Sequence, residues 1–151
     1  LYEEDGGLPN PKANNGTNIR MLRYADVLLM AAEANNRKAV PDDDKALLYI
    51  NRVRERAGMA PLNVTGDELF SAIKLERRLE LSFEFVRFQA LIRWGEAYIT
   101  LKDQGKLVPK GNGQFFSLPE AGFKTGRNEL LPIPEPEMNV NDYMIQNPGY
   151  E

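Results

Sequence analysis

The sequence contains no cysteine and no histidine in its 151 residues. These absences exclude disulfides, thiol nucleophiles, Cys/His zinc sites and a Ser-His-Asp triad. Any catalysis would have to rest on carboxylates, lysine, tyrosine or a hard metal ion. We expect neither a cofactor nor a metal site.

Long apolar runs and an excess of positive charge are also missing. No run of about 18 apolar residues is present, so the sequence predicts no membrane-spanning helix. The formal net charge is -3, and no basic cluster indicates a nucleic-acid partner. Because hydrophobic residues make up 42% of the chain, we expect a packed core rather than global disorder.

The beginning of the chain is not typical of a natural start. Residue 1 is not methionine, and residues 1–18 are rich in glycine, proline and asparagine. Such a composition indicates an irregular loop. We therefore expect the chain to be a fragment or a processed product of a longer protein.

Helical periodicity between residues 19 and 104 predicts an all-α fold of about four helices in antiparallel pairs. The first helix is expected from Ile19 to Arg37. Its apolar residues follow a three- and four-residue spacing and cover most of its circumference: Met21, Leu22, Tyr24, Ala25, Val27, Leu28, Leu29, Ala31 and Ala32. A helix of this kind is buried by neighbours on several sides.

Start and stop signals bound the second and third helices. Pro41 suits a first helical turn, and the aspartates at 42–44 complement the positive end of the helix dipole. This helix is expected to end near Ala57, with Gly58 as its C-terminal cap. The third helix is expected to begin at the capping box Thr65–Glu68, where the threonine side chain bonds a backbone amide and the glutamate reaches back.

A break near Phe83 to Val86 is expected between the third and fourth helices, since one straight helix from Asp67 to Gln104 would be long for a globular domain. The third helix presents a stripe of Leu69, Ile73, Glu76, Leu79 and Phe83. The fourth, which Gly105 would stop, is lined by Phe88, Leu91, Ile92, Ala97 or Trp94, Tyr98 and Leu101. Short connections between helix pairs are typical of tetratricopeptide-like repeats, although no clean period of about 34 residues is found.

The helical pattern ends before residue 105. Residues 105–151 hold six of the ten prolines, and LLPIP places apolar side chains between two of them. Disordered tails rarely carry Phe, Leu, Ile, Met and Tyr at this density. We therefore expect an irregular strap that packs against the helices.

Three glutamates, Glu76, Glu80 and Glu84, recur every four residues on one helix face. Two carboxylates serve as acid and nucleophile in glycoside hydrolysis, but they flank the bond across a cleft, which neighbours on one helix rarely do. The favoured interpretation is a charge ladder with nearby arginines, such as Arg77 with Glu80. Because the glutamates border an apolar stripe, some pairs are expected to bridge helices.

The weak candidates for ligand binding are Trp94, Phe115 and Phe116. Trp94 is the only tryptophan, and an exposed tryptophan could stack on a sugar ring, but its helical spacing favours a core position. Phe115 and Phe116, with Phe123, lie in a glycine-rich loop as anchors or as part of a binding rim, and the sequence leaves both possibilities open. The aspartates at 42–44 lack the spaced oxygens of a calcium loop.

Six segments between Asn18 and Tyr150 carry a family resemblance. In order they are NIRMLRYADVLLMAAEANN, ALLYINRVRERAG, AIKLERRLELSFE, RFQALIRWGEA, LLPIP and QNPGY. This series closely resembles the C-terminal part of the SusD/RagB family of bacterial outer-membrane nutrient-binding lipoproteins. The resemblance implies tetratricopeptide-like helix pairs, a loop-rich remainder and a lipid-bearing cysteine upstream. It also implies that residues 1–151 are a single C-terminal fragment of such a protein.

Two positions depart from the family pattern. The family usually has glycine where this chain has Phe85, and aspartate where it has Ala90. These differences are expected to affect the kink between the third and fourth helices and one local charge pair.

The resemblance implies a binding protein rather than an enzyme. Its members capture oligosaccharide at the cell surface and deliver it to a TonB-dependent outer-membrane transporter. No ligand residue is carried over, because the family's sugar-contacting residues mostly lie upstream, and this chain is expected to be mainly scaffold. The alternatives are a helical-repeat interaction module without a ligand and a glycoside hydrolase that uses Glu80 or Glu84.

Overall fold

The computed structural model describes residues 21–150. The loop predicted for residues 1–18 and the expected helix start at Ile19 lie outside the described residues, but residues 21–23, which were expected to be helical, precede the observed first helix. The chain divides into two compact units, one that extends to Ser82 and one that begins at Phe83. Within residues 21–150, no helix combines the length and the apolar character needed to cross a membrane.

The first unit consists of three long helices. They are α1 (Tyr24–Arg37), α2 (Asp43–Arg56) and α3 (Gly66–Glu80). A short connection makes α1 and α2 an antiparallel pair, and α3 contacts both of them. This arrangement confirms the predicted tetratricopeptide-like, all-α architecture.

Apolar side chains from all three helices form the core of the first unit. These buried residues are Leu28, Leu29, Ala32, Ala46, Ile50, Val53, Leu69 and Ile73. Each helix contributes residues three or four positions apart. The predicted stripe of α3 is buried at Leu69, Ile73 and Glu76, but its C-terminal member Leu79 is exposed. The prediction that α1 is buried on several sides is wrong, because Tyr24, Val27 and Met30 remain exposed.

The helix starts follow the sequence signals in position but not always in chemistry. Asp42 caps α2, since its side chain accepts from the Lys45 amide at 3.1 Å, and Pro41 therefore precedes the cap instead of entering the first turn. Thr65 is the N-cap of α3, but its side chain makes no capping hydrogen bond. The amide of Gly66 instead donates to the Asp43 carboxylate at 2.6 Å, so α2 supplies the partner that the capping box was expected to supply.

The second unit begins with two short helices where one long helix was predicted. They are α4 (Arg87–Arg93) and α5 (Ala97–Leu101). Gly95, which lies between them, has a φ of 71°, a left-handed conformation that ends a helix and that glycine adopts without strain. The predicted break after α3 is present, since α3 ends at Glu80.

The rest of the second unit is largely irregular, as predicted for the strap. It contains the strands β1 (Leu107–Pro109) and β2 (Phe115–Ser117), which pair antiparallel, and the short helix α6 (Glu135–Val140). A small core of Leu91, Ala97 and Phe123 holds part of the strap against α4 and α5. The Phe123 amide donates to the Leu101 carbonyl at 3.1 Å.

Side chains near the C-terminus bind the backbone of the LLPIP segment. The side-chain amide of Gln146 accepts a hydrogen bond from Ile133 N–H at 2.7 Å through Oε1 and donates one to Ile133 C=O at 2.9 Å through Nε2. Asn147 donates to the Leu131 carbonyl at 2.6 Å, and the Tyr150 hydroxyl donates to the Leu130 carbonyl at 3.3 Å. The QNPGY and LLPIP segments are therefore joined as a hydrogen-bonded clasp.

Candidate functional site

The glutamate ladder of α3 is held by arginines from the other helices. Glu80 accepts from Arg23 Nη1 at 2.9 Å and from Arg56 Nη2 at 2.6 Å. The second terminal nitrogen of Arg23 donates to the backbone carbonyl of Glu80 at 2.9 Å. One carboxylate therefore connects the residue before α1 and the last residue of α2 to the end of α3.

Two further ion pairs lie deeper in the first unit. Glu76 accepts from Arg54 Nη1 at 2.8 Å, and both side chains are mostly buried. Arg77 Nη1 lies 2.8 Å from Asp26 Oδ1, and these side chains are 9% and 13% exposed. The pair is therefore a largely buried contact between opposite charges on α3 and α1.

These contacts give the ladder a structural role. The predicted pairing within α3 of Arg77 with Glu80 is replaced by pairs to α1 and α2, and the expectation that some pairs bridge helices is confirmed. Glu76 and Glu80 lie on one helix instead of flanking a cleft, and both are engaged in ion pairs with arginines outside α3. They are therefore poorly arranged for glycoside hydrolysis.

Asp42 and Asp43, two of the three aspartates at the start of α2, accept hydrogen bonds from backbone amides. Besides capping α2, Asp42 lies 3.3 Å from Lys38 Nζ. The hydrogen bond from the Lys45 amide lowers the pKa of Asp42 from its ordinary value, and Lys38 adds to the effect. Asp43 accepts from Asn36 Nδ2 at 2.7 Å as well as from Gly66. Among residues 21–150, no group of three or more acidic side chains is placed to hold a metal ion.

Trp94 is half-buried rather than part of the core. It caps the end of α4, and the guanidinium carbons of Arg87 and Arg93 lie 5.8 and 5.4 Å from its ring centroid. Contacts at this distance are cation–π interactions. The predicted core position is therefore wrong, and two cations are already associated with the ring that was considered for sugar stacking.

Phe115 and Phe116 lie side by side on β2, on opposite faces of the hairpin. Phe115 pairs with Pro109 and Phe116 with Val108, and successive residues of a strand face opposite sides. The Phe115 side chain is 61% exposed and that of Phe116 40%. The hairpin therefore presents an aromatic ring on each face.

The tip of the hairpin is polar and internally hydrogen-bonded. Lys110 N–H donates to the Gln114 carbonyl at 2.8 Å, and Gln114 N–H donates to the Asn112 side chain at 3.1 Å. Gly111 and Gly113 have positive φ values of 77° and 79°, which glycine permits. Polar groups thus lie near the exposed ring of Phe115, as in many sugar-binding surfaces that combine stacking with hydrogen bonds.

Phe123 has a different role from the two hairpin phenylalanines. It is buried with Leu91 and Ala97, and its ring centroid lies 6.3 Å from that of Phe88. The structure therefore separates the two possibilities left open by the sequence, since Phe123 is an anchor while Phe115 and Phe116 are surface groups.

The most exposed aromatic pair was missed. Phe83 and Phe85 follow α3 with φ values of 65° and 62°, in the left-handed region that costs a bulky residue about 1–2 kcal/mol. Phe83 was expected on the buried stripe with Leu79. This is wrong, because the side chains of Phe83 and Leu79 are both exposed. One feature of the sequence could have indicated this backbone. The resembling family usually has glycine at the position of Phe85, and glycine adopts the left-handed conformation freely.

Comparison with known sequences gives a consistent family match. The sequence profile of the SusD family matches residues 7–150. The chain is 39% identical over 159 aligned residues to SusD-like protein P2 of Formosa agariphila, an alignment that covers 99% of this chain and 29% of that protein. It is 34% identical to SusD-like protein P25 of the same bacterium, over 93% of this chain and 26% of that protein.

Solved structures agree with the sequence comparison. The chain is similar to a SusD homolog from Bacteroides thetaiotaomicron with a TM-score of 0.64 and 35% identity, over 85% of this chain and 26% of that one. It is similar to a SusD-like protein from Bacteroides fragilis with a TM-score of 0.62 and 27% identity, over 86% of this chain and 25% of that one. The chain thus spans between 25% and 29% of the length of these four relatives.

Proposed function

The chain belongs to the SusD family, and from this premise we propose that it is the C-terminal region of a surface-exposed, glycan-binding lipoprotein of the bacterial outer membrane. In this proposal the complete protein captures an oligosaccharide and delivers it to a TonB-dependent transporter. Its lipid anchor lies upstream of this region. The chain itself serves mainly as scaffold.

The observation that carries the scaffold assignment is the ion pairing of Glu76 and Glu80. Glu80, one of the two glutamates considered for hydrolysis, is bound to Arg23 and Arg56, and Glu76 is bound to Arg54. These contacts join α3 to α2 and to the residue before α1, which supports a structural role for both carboxylates.

Phe115 is the residue that we assign to ligand contact if this region touches the glycan. Its ring is exposed on a hydrogen-bonded hairpin, and the C–H face of a pyranose stacks on such a ring while its hydroxyls bond nearby polar groups. Phe116 supplies a second aromatic ring on the opposite face of the hairpin. Trp94 is the weaker candidate, because two guanidinium groups already lie near its ring.

A glycan array tests the proposal directly. The complete SusD-family protein that carries this region should bind at least one class of oligosaccharide and should release no sugar from it. Failure to bind across a broad panel, together with binding to the transporter, would favour an interaction module without a ligand. Turnover that is lost on Glu80→Gln would instead indicate a glycoside hydrolase.

A second comparison locates the ligand contacts. The Phe115→Ala variant is measured beside Tyr143→Ala, which removes an exposed aromatic ring from the same unit and serves as the matched control. Weaker binding for Phe115→Ala alone would place part of the site on the hairpin. Equal binding by both variants and the parent would leave this region as scaffold alone.

A further inference from the structure

Two phenylalanine rings project from the turn after α3. Phe83 is 99% exposed and Phe85 is 92% exposed. Full burial of a phenylalanine side chain contributes about 1.5–3 kcal/mol of favourable free energy. Two rings that remain exposed to water do not gain this stabilisation. Isolated exposed apolar residues are ordinary, but here two large exposed rings lie within three positions of the chain.

The backbone that carries the rings is also unfavourable. Within residues 21–150, Phe83 and Phe85 are the two non-glycine residues with positive φ. Strained conformations of this kind persist when the surrounding structure over-determines them, and they concentrate at functional positions such as ligand clamps and switch regions.

The turn itself is held firmly on its N-terminal side, so the exposure does not result from a loose segment. Leu81 is buried, and its amide donates to the Arg77 carbonyl at 3.1 Å. The Ser82 hydroxyl donates to the Arg78 carbonyl at 2.7 Å. The strained turn is thus anchored directly before its two exposed rings.

We propose that Phe83 and Phe85 insert into an apolar pocket formed by the part of the SusD-family polypeptide that lies outside this region. This inference rests on the proposed function, under which the chain is one region of a longer protein. The named relatives contain more than twice as much further chain as they share with this one, since the alignments cover 29% and 26% of their length. The occupant is therefore an apolar surface of the same polypeptide.

The chemistry of the turn favours this occupant over a glycan. A sugar-binding platform places polar groups around a ring so that hydroxyls are hydrogen-bonded. Here the residue between the rings, Glu84, is the one polar side chain from Phe83 to Val86. Phenyl rings carry no hydrogen-bonding group, so they match aliphatic and aromatic side chains better than they match hydroxyl groups.

Thiol labelling of the complete protein tests the proposal. Residues 1–151 contain no cysteine, so a labelled peptide from this region carries the introduced thiol. Phe83→Cys and Phe85→Cys should react with a maleimide at least about tenfold more slowly than Lys110→Cys, because a thiol in a pocket reacts only when the structure opens. Lys110 is an exposed residue at the hairpin tip, and mass mapping of the labelled peptide identifies the site. Equal rates for all three variants would overturn the proposal.

Two other occupants are distinguished by the same variants. Protection that appears in the 151-residue chain as its concentration rises would assign the surface to a second copy and overturn the proposal. Protection that appears only when a glycan is added would assign it to the ligand and also overturn it.

The Phe85→Gly variant gives an independent test, because the expected change in Tm differs between the 151-residue chain and the complete protein. In the 151-residue chain it should maintain or raise the Tm, because glycine relieves the left-handed strain and no ring contact is lost. In the complete protein it should lower the Tm, because the ring is removed from its pocket. A raised Tm in both would overturn the proposal. Glycan binding by the unsubstituted protein is measured separately, so failure of the proposed function remains distinguishable.

Discussion

The two units of this chain achieve order in different ways. The first, up to Ser82, buries an eight-residue apolar core between three long helices and adds interhelical ion pairs around it. The second, from Phe83, has three buried residues in its core cluster and uses side-chain-to-backbone hydrogen bonds to position an irregular strap. Helices can satisfy their own backbone groups, whereas irregular chain must find partners elsewhere.

Close backbone approach is a second difference between the units. A Cβ added at Gly122 would lie 2.1 Å from the Lys102 carbonyl oxygen, and one at Gly149 would lie 2.8 Å from the Arg127 side chain. Both glycines also have positive φ. The strap therefore requires glycine, which has no side chain, at these two positions. The helical unit instead requires the side chains of its core and of its ion pairs.

The largest expected effect comes from the buried ion pair of the first unit. Arg77→Met leaves Asp26 as an uncompensated charge in a mostly buried position, and we expect a loss of about 3–5 kcal/mol in unfolding free energy. Arg56→Met is the control, because Arg56 is largely exposed and Glu80 retains Arg23, so its cost should be about 0–1 kcal/mol. Urea denaturation measures both, and similar values would contradict the ranking.

The helical core gives the next largest effect. Ile50→Ala removes a fully buried side chain and should cost about 2–5 kcal/mol. Leu48→Ala, on the exposed face of the same helix, should change stability by no more than about 0.5 kcal/mol. A small loss for Ile50→Ala would mean that the first unit does not depend on this core.

The clasp of the second unit should respond to loss of one side-chain amide. Gln146→Ala leaves both backbone groups of Ile133 without their partner, at a cost of about 1–3 kcal/mol. Hydrogen exchange of the Ile133 amide should accelerate, while exchange in α2 should remain unchanged. Gln104→Ala, at an exposed position, is the control, and unchanged exchange at Ile133 would show that the clasp is not needed.

Trp94 sharpens the distinction between a core residue and a surface residue. Because its side chain is half-buried, Trp94→Ala should cost about 1–2 kcal/mol, not the roughly 3–5 kcal/mol expected for a buried tryptophan. Thermal unfolding monitored by circular dichroism provides the measurement. A loss at the upper value would place the ring in the core after all.

The smallest effect is a pH dependence at the start of α2. The pKa of Asp42 is lowered in the folded chain from the ordinary value of 3.8, so its stabilising effect is present above that value and is lost as the pH falls through the folded pKa. Asp42→Asn retains a capping side chain but removes the charge. The Tm difference between parent and variant should shrink as the pH falls from about 5 to about 3; a constant difference would contradict this.

Helix existence and core composition were largely predictable from the sequence. Leu28, Leu29 and Ala32 lie at helical spacing and are buried as expected, and the aspartates after Pro41 mark the start of α2. The periodicity could not reveal that Gly95 would divide the fourth helix, because one glycine within an apolar pattern is often tolerated. It also could not separate Phe123, which is buried, from Phe115, since both lie in glycine-rich segments.

The sequence by itself therefore determined the all-α class and most of the core positions of the first unit, because these depend on spacing along the chain, and its ordered motifs carried the SusD-family resemblance. The tertiary structure decided which arginine binds which glutamate, which amide Asp43 accepts from, and how Gln146 holds Ile133. Those contacts join residues that are distant in sequence, and local propensity carries no information about them. The exposed, strained rings of Phe83 and Phe85 belong to the same class, since only the folded backbone places them in the left-handed region.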